Sequence, residues 1–382
     1  MTNYYNLNEF KMKIGIDCRC LTRRPTGVSK LLADFIIAMR DYLPEWELYL
    51  MAPSEFHEAV LMLEGSNVKK VVCPLPTLNK HLVWYNIEFI RQCIKYKVDV
   101  MWTPSPSRTM FCPNGIKQMV SVNDVVAKEF RTTLSFHNKL IGQSSFDSSI
   151  MKADLIISIS DYTKRKVEEY FPKRKQCDIL VACSCSELFR YEKVPEMEIR
   201  EIKAKYEIKD KFLLFVGTLE PRKNLVFLLD VMQKLHDEMP DLRLLVVGGR
   251  GWKSSSLSEK YNSPSFPREA VIFADYVDIQ QLRKLYTITD CFVSAALNEG
   301  FGLPQLEAMR CGAPVVTAHN SAMIEVVEGR GITVEGYEIK DWIQAIKQAL
   351  ALDRQALKYD LEEYEWKSIT KRLKEYVESH MK

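Results

Sequence analysis

Glu299 and Glu307 stand eight positions apart in NEGFGLPQLEA (298–308), around two glycines and a proline. An unpaired carboxylate among apolar neighbours is costly. Two arrangements remove that cost. In one, Glu299 caps the following helix and Glu307 pairs with a nearby cation. In the other, a molecule carrying hydroxyls and phosphates sits between the two carboxylates. Gly300 and Gly302 permit tight or positive-φ backbone, and Pro304 suits the first helical position. The spacing predicts a helix over 304–311 with Gly312 at its C-cap. The amides of Phe301, Gly302 and Leu303 would then lie at the positive end of the helix dipole, where phosphate is the natural occupant.

A second stretch points the same way. FVGTLEPRKNL (215–225) reads as a strand, Gly217-Thr218, a loop and a helix, with Arg222 and Lys223 at the helix start. Basic residues there have the wrong sign for the dipole. Their expected purpose is to neutralise a diphosphate and support it as a leaving group. The alternative is a pair of solvated surface cations.

These loops need strands and helices to hold them. KIGID (13–17) reads as a first strand, and Pro25-Thr26-Gly27 breaks the chain before a helix from Val28 to about Tyr42. ELYLM (47–51), VKKVV (68–72), VDVMW (98–102), QMVSV (118–122), LIISI (155–159) and CDILVA (177–182) read as strands. Helical spacing covers 82–96, and Asp161 is the expected cap of TKRKVEEYF. A charged stretch without a strand, 191–211, reads as a linker with a short helix. The alternation restarts with FLLFVG (212–217), a helix over 224–239, LRLLVVGG (242–249) and VIFADYV (271–277). A helix over 279–287, CFVSAAL (291–297), the 304–311 helix and PVVTA (314–318) follow, and 367–381 is a terminal helix. The expected domains are 1–190 and 191–365, with 366–382 crossing back to the first. This is an α/β chain of two Rossmann-like domains with parallel sheets facing across a cleft.

The 382 residues are 47% apolar and 27% charged, enough for a sizeable core. The balance of 53 basic against 50 acidic residues argues neither for nor against nucleic acid, no long basic block appears, and no nucleic-acid partner is expected. The ten cysteines form no zinc-ligand pattern and read as free thiols of a reducing compartment. His81, His137, His236, His319 and His380 are scattered and read as structural. MTNYYNLNEFKMKIGID has no apolar h-region and no run is long enough to span a bilayer, so a cytoplasmic location is expected. KHLVWYNIEFIRQCIKYK mixes Trp84, Tyr85 and Phe89 with basic residues. It is a candidate for peripheral contact with the inner face of a membrane or with a lipid-linked acceptor, although apolar positions of this kind more often belong to a core helix. Gly248, Gly249 and Gly251 of VVGGRGWK do not form the dinucleotide fingerprint.

GTLEPRKN, VVGGRGWKS (246–254), FADYVDIQQLRKLY (273–286), DCFVSAALNEGFGLPQLEAMRCGAPVV (290–316) and SAMIEVV (321–327) run in the order and spacing of a known family. So do IGIDCRCLTRRPTGVSK (14–30), LVWYNIEFIRQ, VDVMWTPSP and ADLIISISDYTKRKVEEYF (153–171). The chain resembles the retaining nucleotide-sugar glycosyltransferases of family 4, with the GT-B fold, over nearly its whole length. It looks most like members that transfer mannose or rhamnose in surface polysaccharide synthesis. The resemblance implies transfer of a hexosyl unit, mannose expected, from a nucleotide diphosphate sugar to a saccharide or lipid-linked saccharide acceptor. GDP-mannose is the expected donor and a UDP-sugar the next. No cofactor and no metal are implied.

The resemblance also implies roles. Glu299 would contact the donor sugar and Glu307 the ribose. Arg222 and Lys223 would bind the diphosphate, helped by the backbone at Gly27. Tyr276 and Val277 would lie beside the base, and Gly300, Phe301, Gly302 and Leu303 would offer amides to sugar and phosphates. Gly217, Thr218 and Gly248 belong to the same donor-binding set. Asn123 stands where the family usually has a histidine near the reacting carbon, and unlike histidine it carries no proton or charge. Asp275 stands in place of a glycine and Ile324 in place of a proline. The rival readings are a nucleotide-sugar epimerase of the same architecture and a non-catalytic nucleotide-sugar-binding subunit. The loops about 74–81, 103–115 and 128–147 are expected to select the acceptor.

Overall fold

The computed structural model describes residues 11–381 apart from 24–26, 61, 76–80, 126–145, 175–177, 250–254 and 355. Much of two expected acceptor loops, and the end of VVGGRGWKS, therefore lie outside the described residues. The chain divides into two units: residues 1–183 with 363–382, and residues 184–362.

Unit 1 is a seven-stranded parallel sheet in the order β3-β2-β1-β4-β5-β6-β7. The strands are β1 (Lys13–Asp17), β2 (Glu47–Ala52), β3 (Val68–Val72), β4 (Val100–Thr103), β5 (Lys117–Val122), β6 (Leu155–Ser158) and β7 (Ile179–Val181). Helices α1 (Gly27–Tyr42), α2 (His81–Tyr96) and α3 (Asp161–Tyr170) supply crossovers. The central strands are apolar on both faces, as strands covered by helices must be. Ser160, not Asp161, caps α3: its Oγ accepts from Thr163 N at 3.0 Å. An extended backbone at Ser160 turns its short hydroxyl back on the first turn. Trp84, Tyr85 and Phe89 of α2 are buried in a cluster with Met51, Cys93 and Met101, so they are core and not a membrane-facing set.

Unit 2 is a six-stranded parallel sheet in the order β10-β9-β8-β11-β12-β13. Its strands are β8 (Phe212–Val216), β9 (Arg243–Val247), β10 (Val271–Phe273), β11 (Cys291–Ser294), β12 (Val315–Ala318) and β13 (Ile332–Val334). Its helices are α4 (Glu196–Lys205), α5 (Leu225–Glu238), α6 (Ser255–Tyr261), α7 (Ile279–Ile288), α8 (Leu303–Arg310), α9 (Met323–Val327) and α10 (Ile339–Leu350). Leu228, Met232 and Leu235 of α5 and Trp342 and Ile346 of α10 bury one face of the sheet. The strand order reverses direction between β8 and β11. In sheets of this kind, ligands sit at that switch point, beyond the carboxyl ends of the strands.

The last helix, α11 (Trp366–Met381), belongs to unit 1. Trp366 packs edge-on to Phe35, ring centroids 4.7 Å apart. Tyr376 Oη accepts from Ile156 N at 3.0 Å and donates to Asp178 O at 2.7 Å.

Candidate functional site

The loops after β8 and β11 meet at the switch point of unit 2. After β8 the chain passes Gly217 and Thr218 and makes a 3-10 turn over Pro221–Lys223. Asn224 then adopts φ 54°, in the left-handed region, before α5 begins at Leu225. Arg222 and Lys223 thus precede α5 in a separate turn, and do not form its first residues. The left-handed Asn224 breaks the helical path between that turn and α5. Leu297 N donates to Arg222 O at 2.8 Å, tying this turn to the loop after β11.

Glu299 is the centre of the cluster. Arg222 Nη1 donates to its Oε2 at 2.7 Å and to Asn298 O at 2.6 Å. Lys223 Nζ donates to its Oε1. The other side of the guanidinium is held by Glu220, whose Oε1 accepts from Arg222 Nη2 at 2.6 Å. Burial would raise the Glu299 proton affinity, but Lys223 and then Arg222 outweigh it and hold the carboxyl below its ordinary value. The expensive carboxylate is therefore paired within the protein, by the two cations expected to meet a diphosphate. Neither cation is a solvated surface group: their side chains are 30% and 13% exposed.

A hydrogen-bond chain, not visible in the sequence, fixes the backbone around Glu299. Tyr337 Oη donates to Ala296 O at 3.0 Å, and Asn320 Nδ2 donates to the same oxygen at 3.1 Å and to Tyr337 Oη at 2.9 Å. Ser321 Oγ donates to Asn320 Oδ1 at 2.9 Å and accepts from Glu299 N at 3.0 Å. Ser321 stands in SAMIEVV, but the chain it belongs to joins three different loops, at 296–299, 320–321 and 337, a meeting no local spacing encodes.

Gly302, at φ 113°, is the N-cap of α8, with no side chain capping the helix. Glu299 thus does not cap it. Phe301 and Gly302 are buried, and Gly300 and Leu303 are half-buried. Glu307, in the middle of α8, accepts from Tyr286 Oη of α7 at 2.8 Å. The two glutamates are thus engaged by different elements, Glu299 by the β8 loop and Glu307 by α7.

Gly217 and Gly248 share one strict requirement. A Cβ at Gly248 would lie 2.0 Å from Gly217 O, so only glycine lets the ends of β8 and β9 approach. Strand β10 ends at Phe273, and Asp275 takes φ 52°, with its carbonyl accepting from Gly248 N at 2.8 Å. The residue that replaces a family glycine thus keeps a glycine-like conformation, which Asp tolerates better than most. Tyr276 beyond it is 59% exposed, while Val277 is buried and Thr218 is exposed.

Gly27 and Asn123 lie in unit 1. Gly27 is the exposed first residue of α1, and Asn123, just past β5, donates from Nδ2 to Pro104 O at 3.2 Å. Among the described residues, no group of three or more His, Cys, Asp or Glu is placed to hold a metal ion, and no helix is long and apolar enough to cross a membrane. The nine described cysteines are all free, seven of them buried. His319 Nδ1 lies 3.1 Å from Thr333 Oγ1 and His236 Nε2 lies 3.3 Å from Glu269.

Residues 198–366 match the model of the family described as glycosyl transferases group 1. This part of the chain is similar to the group 1 glycosyl transferases. The matched region covers unit 2 from α4 onward and carries the whole Glu299 cluster. Over 216 residues the chain is 32% identical to the O-antigen chain mannosyltransferase B of Escherichia coli, covering 55% of each protein. It is 28% identical over 204 residues to the serotype-specific mannosyltransferase WbdA of the same organism, across 25% of that protein. The chain thus spans about half the length, or less, of these curated relatives. Over 276 residues it is 26% identical to the Bacillus subtilis putative glycosyltransferase YtcC, covering 66% of that protein. Among solved structures, Anabaena Alr3699/HepE in complex with UDP and glucose superposes with a TM-score of 0.70 at 15% identity, over 97% of this chain and 100% of that one. WaaG, a glycosyltransferase of lipopolysaccharide biosynthesis, gives 0.64 at 14% identity, over 96% and 95%. The two Rossmann-like sheets are those of the GT-B glycosyltransferase structures, as the resemblance implied.

Proposed function

We propose that the protein transfers a hexosyl unit from a nucleotide diphosphate sugar to an acceptor hydroxyl, with retention of configuration and without a metal ion, in polysaccharide or glycoconjugate synthesis. The observation that carries this reading is the Arg222–Lys223–Glu299 cluster at the carboxyl end of β8 and β11, beside the uncapped start of α8. A departing diphosphate needs positive charge that is already in place. Arg222 and Lys223 supply it, and the α8 dipole adds to it. Glu299, ionised and fixed by both cations, accepts hydrogen bonds from donor-sugar hydroxyls. Glu307 takes the ribose hydroxyls, Tyr276 and the Val277 backbone flank the base, and Gly217, Thr218, Gly248 and Gly300–Leu303 line the phosphates and sugar. Gly27 and Asn123 are assigned the diphosphate and sugar contacts of unit 1.

In the reaction the bond from the anomeric carbon to the diphosphate oxygen breaks as the acceptor oxygen bonds on the same face. The leaving phosphate takes the acceptor's proton. Two E. coli relatives are mannosyltransferases and a structural neighbour was solved with UDP and glucose. GDP-mannose is accordingly the first donor to test and a UDP-sugar the second, with a saccharide or lipid-linked saccharide as acceptor and the cytoplasm as compartment. A thermal-shift panel of nucleotides and nucleotide sugars identifies the donor, because a bound ligand raises apparent stability. Transfer by Arg222→Ala and Lys223→Ala proteins within about twofold of wild type would overturn the leaving-group role. Isomerised donor in the absence of acceptor would mark an epimerase, and donor binding without turnover a binding subunit.

A further inference from the structure

The partner that Glu307 meets on α7 is itself firmly anchored. Tyr286 is fully buried, whereas Glu307 is half-buried. The Tyr286 ring packs edge-on to Phe189, with centroids 5.7 Å apart, and lies 5.8 Å from the ring of Phe292 on β11. Rings at these distances restrain one another in one arrangement. The helix that carries Tyr286 is fastened at both ends and along its length. Asp278 Oδ1 accepts from Gln281 N at 2.8 Å and starts α7, and Thr289 N donates to Leu285 O at 2.9 Å and ends it. Gln281 Nε2 donates to Tyr206 Oη at 2.9 Å, Arg283 pairs with Glu192, and Lys284 pairs with Glu198 of α4. Tyr276 and Val277 run directly into Asp278. The helix that ends near Tyr286 therefore begins at the residues assigned to the base.

The Tyr286 hydroxyl donates to Glu307 Oε2 at 2.8 Å. Burial, and after it the Glu307 charge, push the Tyr286 proton affinity well above its ordinary value, so the hydroxyl stays a donor at neutral pH. A glutamate side chain has three rotatable bonds and loses that freedom when a ligand orders it. With one oxygen already tied, the ordering is done during folding and weakens ligand binding less. The two glutamates differ in how they are held. Glu299 is bracketed by Arg222 and Lys223, whereas Tyr286 offers Glu307 a neutral donor, which orders a carboxylate without neutralising it.

We infer that Tyr286 is a positioning residue for nucleotide recognition: its hydroxyl holds Glu307 where it meets the ribose hydroxyls, and α7 keeps that carboxylate in register with Tyr276 and Val277. The inference rests on the reading of Glu307 as the ribose contact. It is tested by calorimetric binding of GDP and of UDP, each beside its dideoxyribose counterpart, to wild type, Tyr286→Phe, Glu307→Ala and the double variant. Wild type is expected to bind the ribose form more tightly than the dideoxyribose form. Tyr286→Phe should weaken the ribose form about fivefold, the scale of one lost hydrogen bond, and leave the dideoxyribose form within about twofold. With Glu307→Ala already present, Tyr286→Phe should add nothing, as two residues acting through one contact require. In transfer assays Tyr286→Phe should raise the donor KM about fivefold with kcat within about twofold, because the ribose is held alike before and during the reaction. The phenylalanine keeps the ring contacts with Phe189 and Phe292, and circular dichroism shows that each variant is folded at the assay temperature. Equal weakening of both nucleotide forms marks a merely structural role and overturns this inference alone. So does a ribose preference that survives Tyr286→Phe. Equal binding of both forms by wild type overturns the Glu307 assignment and this inference with it, and no nucleotide binding by wild type overturns the proposed function as well.

Discussion

Replacing Lys223 by alanine isolates what holds Glu299 in the unliganded protein. The Glu299 and Lys223 side chains are 11% and 13% exposed, so little solvent screens their pairing. Burial raises the Glu299 proton affinity, and the two cations bring it below the ordinary carboxylate value. A carboxyl with a depressed folded value stabilises the protein above its unfolded value and gives this up as pH falls through the folded one. Losing one charged hydrogen bond costs about 1.5–3 kcal/mol, and Arg222 remains to limit the damage, so about 2 kcal/mol is expected. Unit 2 spans 184–362. For a domain of this size that loss lowers Tm by roughly 4–8 °C. The assay is a calorimetric scan of wild type and Lys223→Ala in phosphate-free buffer, from neutral pH down through the carboxylate range near about 4. The gap should be widest at neutral pH and close in acid, where Glu299 is protonated in both proteins. A gap under about 1 °C at neutral pH, or one undiminished in acid, would refute the reasoning.

Three further outcomes follow from the packing. Gly248→Ala places a Cβ 2.0 Å from Gly217 O, so the strand ends must part. Its urea midpoint should fall by the equivalent of about 3 kcal/mol or more. Tyr337→Phe removes the hydroxyl shared by Asn320 and Ala296 O, costing about 1 kcal/mol in denaturant titration. On the proposed function it also raises the donor KM severalfold, whereas a purely structural role would leave KM alone. Tyr376→Phe deprives Ile156 N and Asp178 O of their partner, and should cost about 1–2 kcal/mol and speed hydrogen exchange in α11.

Long elements with a clear apolar period were legible. The strands at 13–17 and 68–72 have the expected bounds, and the helices at 82–96 and 224–239 are off by one residue at one end and at both ends, respectively. Their burial pattern is written directly in side-chain type. Short elements were not. β13 has three residues and does not stand out from the sequence around it, whereas the longer α10 after it carries Ile339, Trp342, Ile343 and Ile346 at helical spacing and was missed. VIFADYV and CFVSAAL read as longer strands than they are, because the apolar Val277, Ala295 and Ala296 are buried like strand residues but lie in the loops that follow β10 and β11. In α2 the aromatic residues are in the core, as their helical spacing favoured, and not on an outer face.

For the site, the sequence alone named Arg222, Lys223, Glu299 and Glu307 and the glycines that bend the loops, since charge type and turn chemistry are local properties. It could not say which charges answer one another. Lys223 and Glu299 are 76 residues apart and meet because β8 and β11 are neighbours in the sheet. That adjacency follows from how helices pack on the two faces, not from any spacing along the chain. The pairing of Glu299 with two cations, the engagement of Glu307 by Tyr286, and the Tyr337–Asn320–Ser321 chain behind them were decided by tertiary structure, because a buried charge takes its partner from whatever strand order brings near.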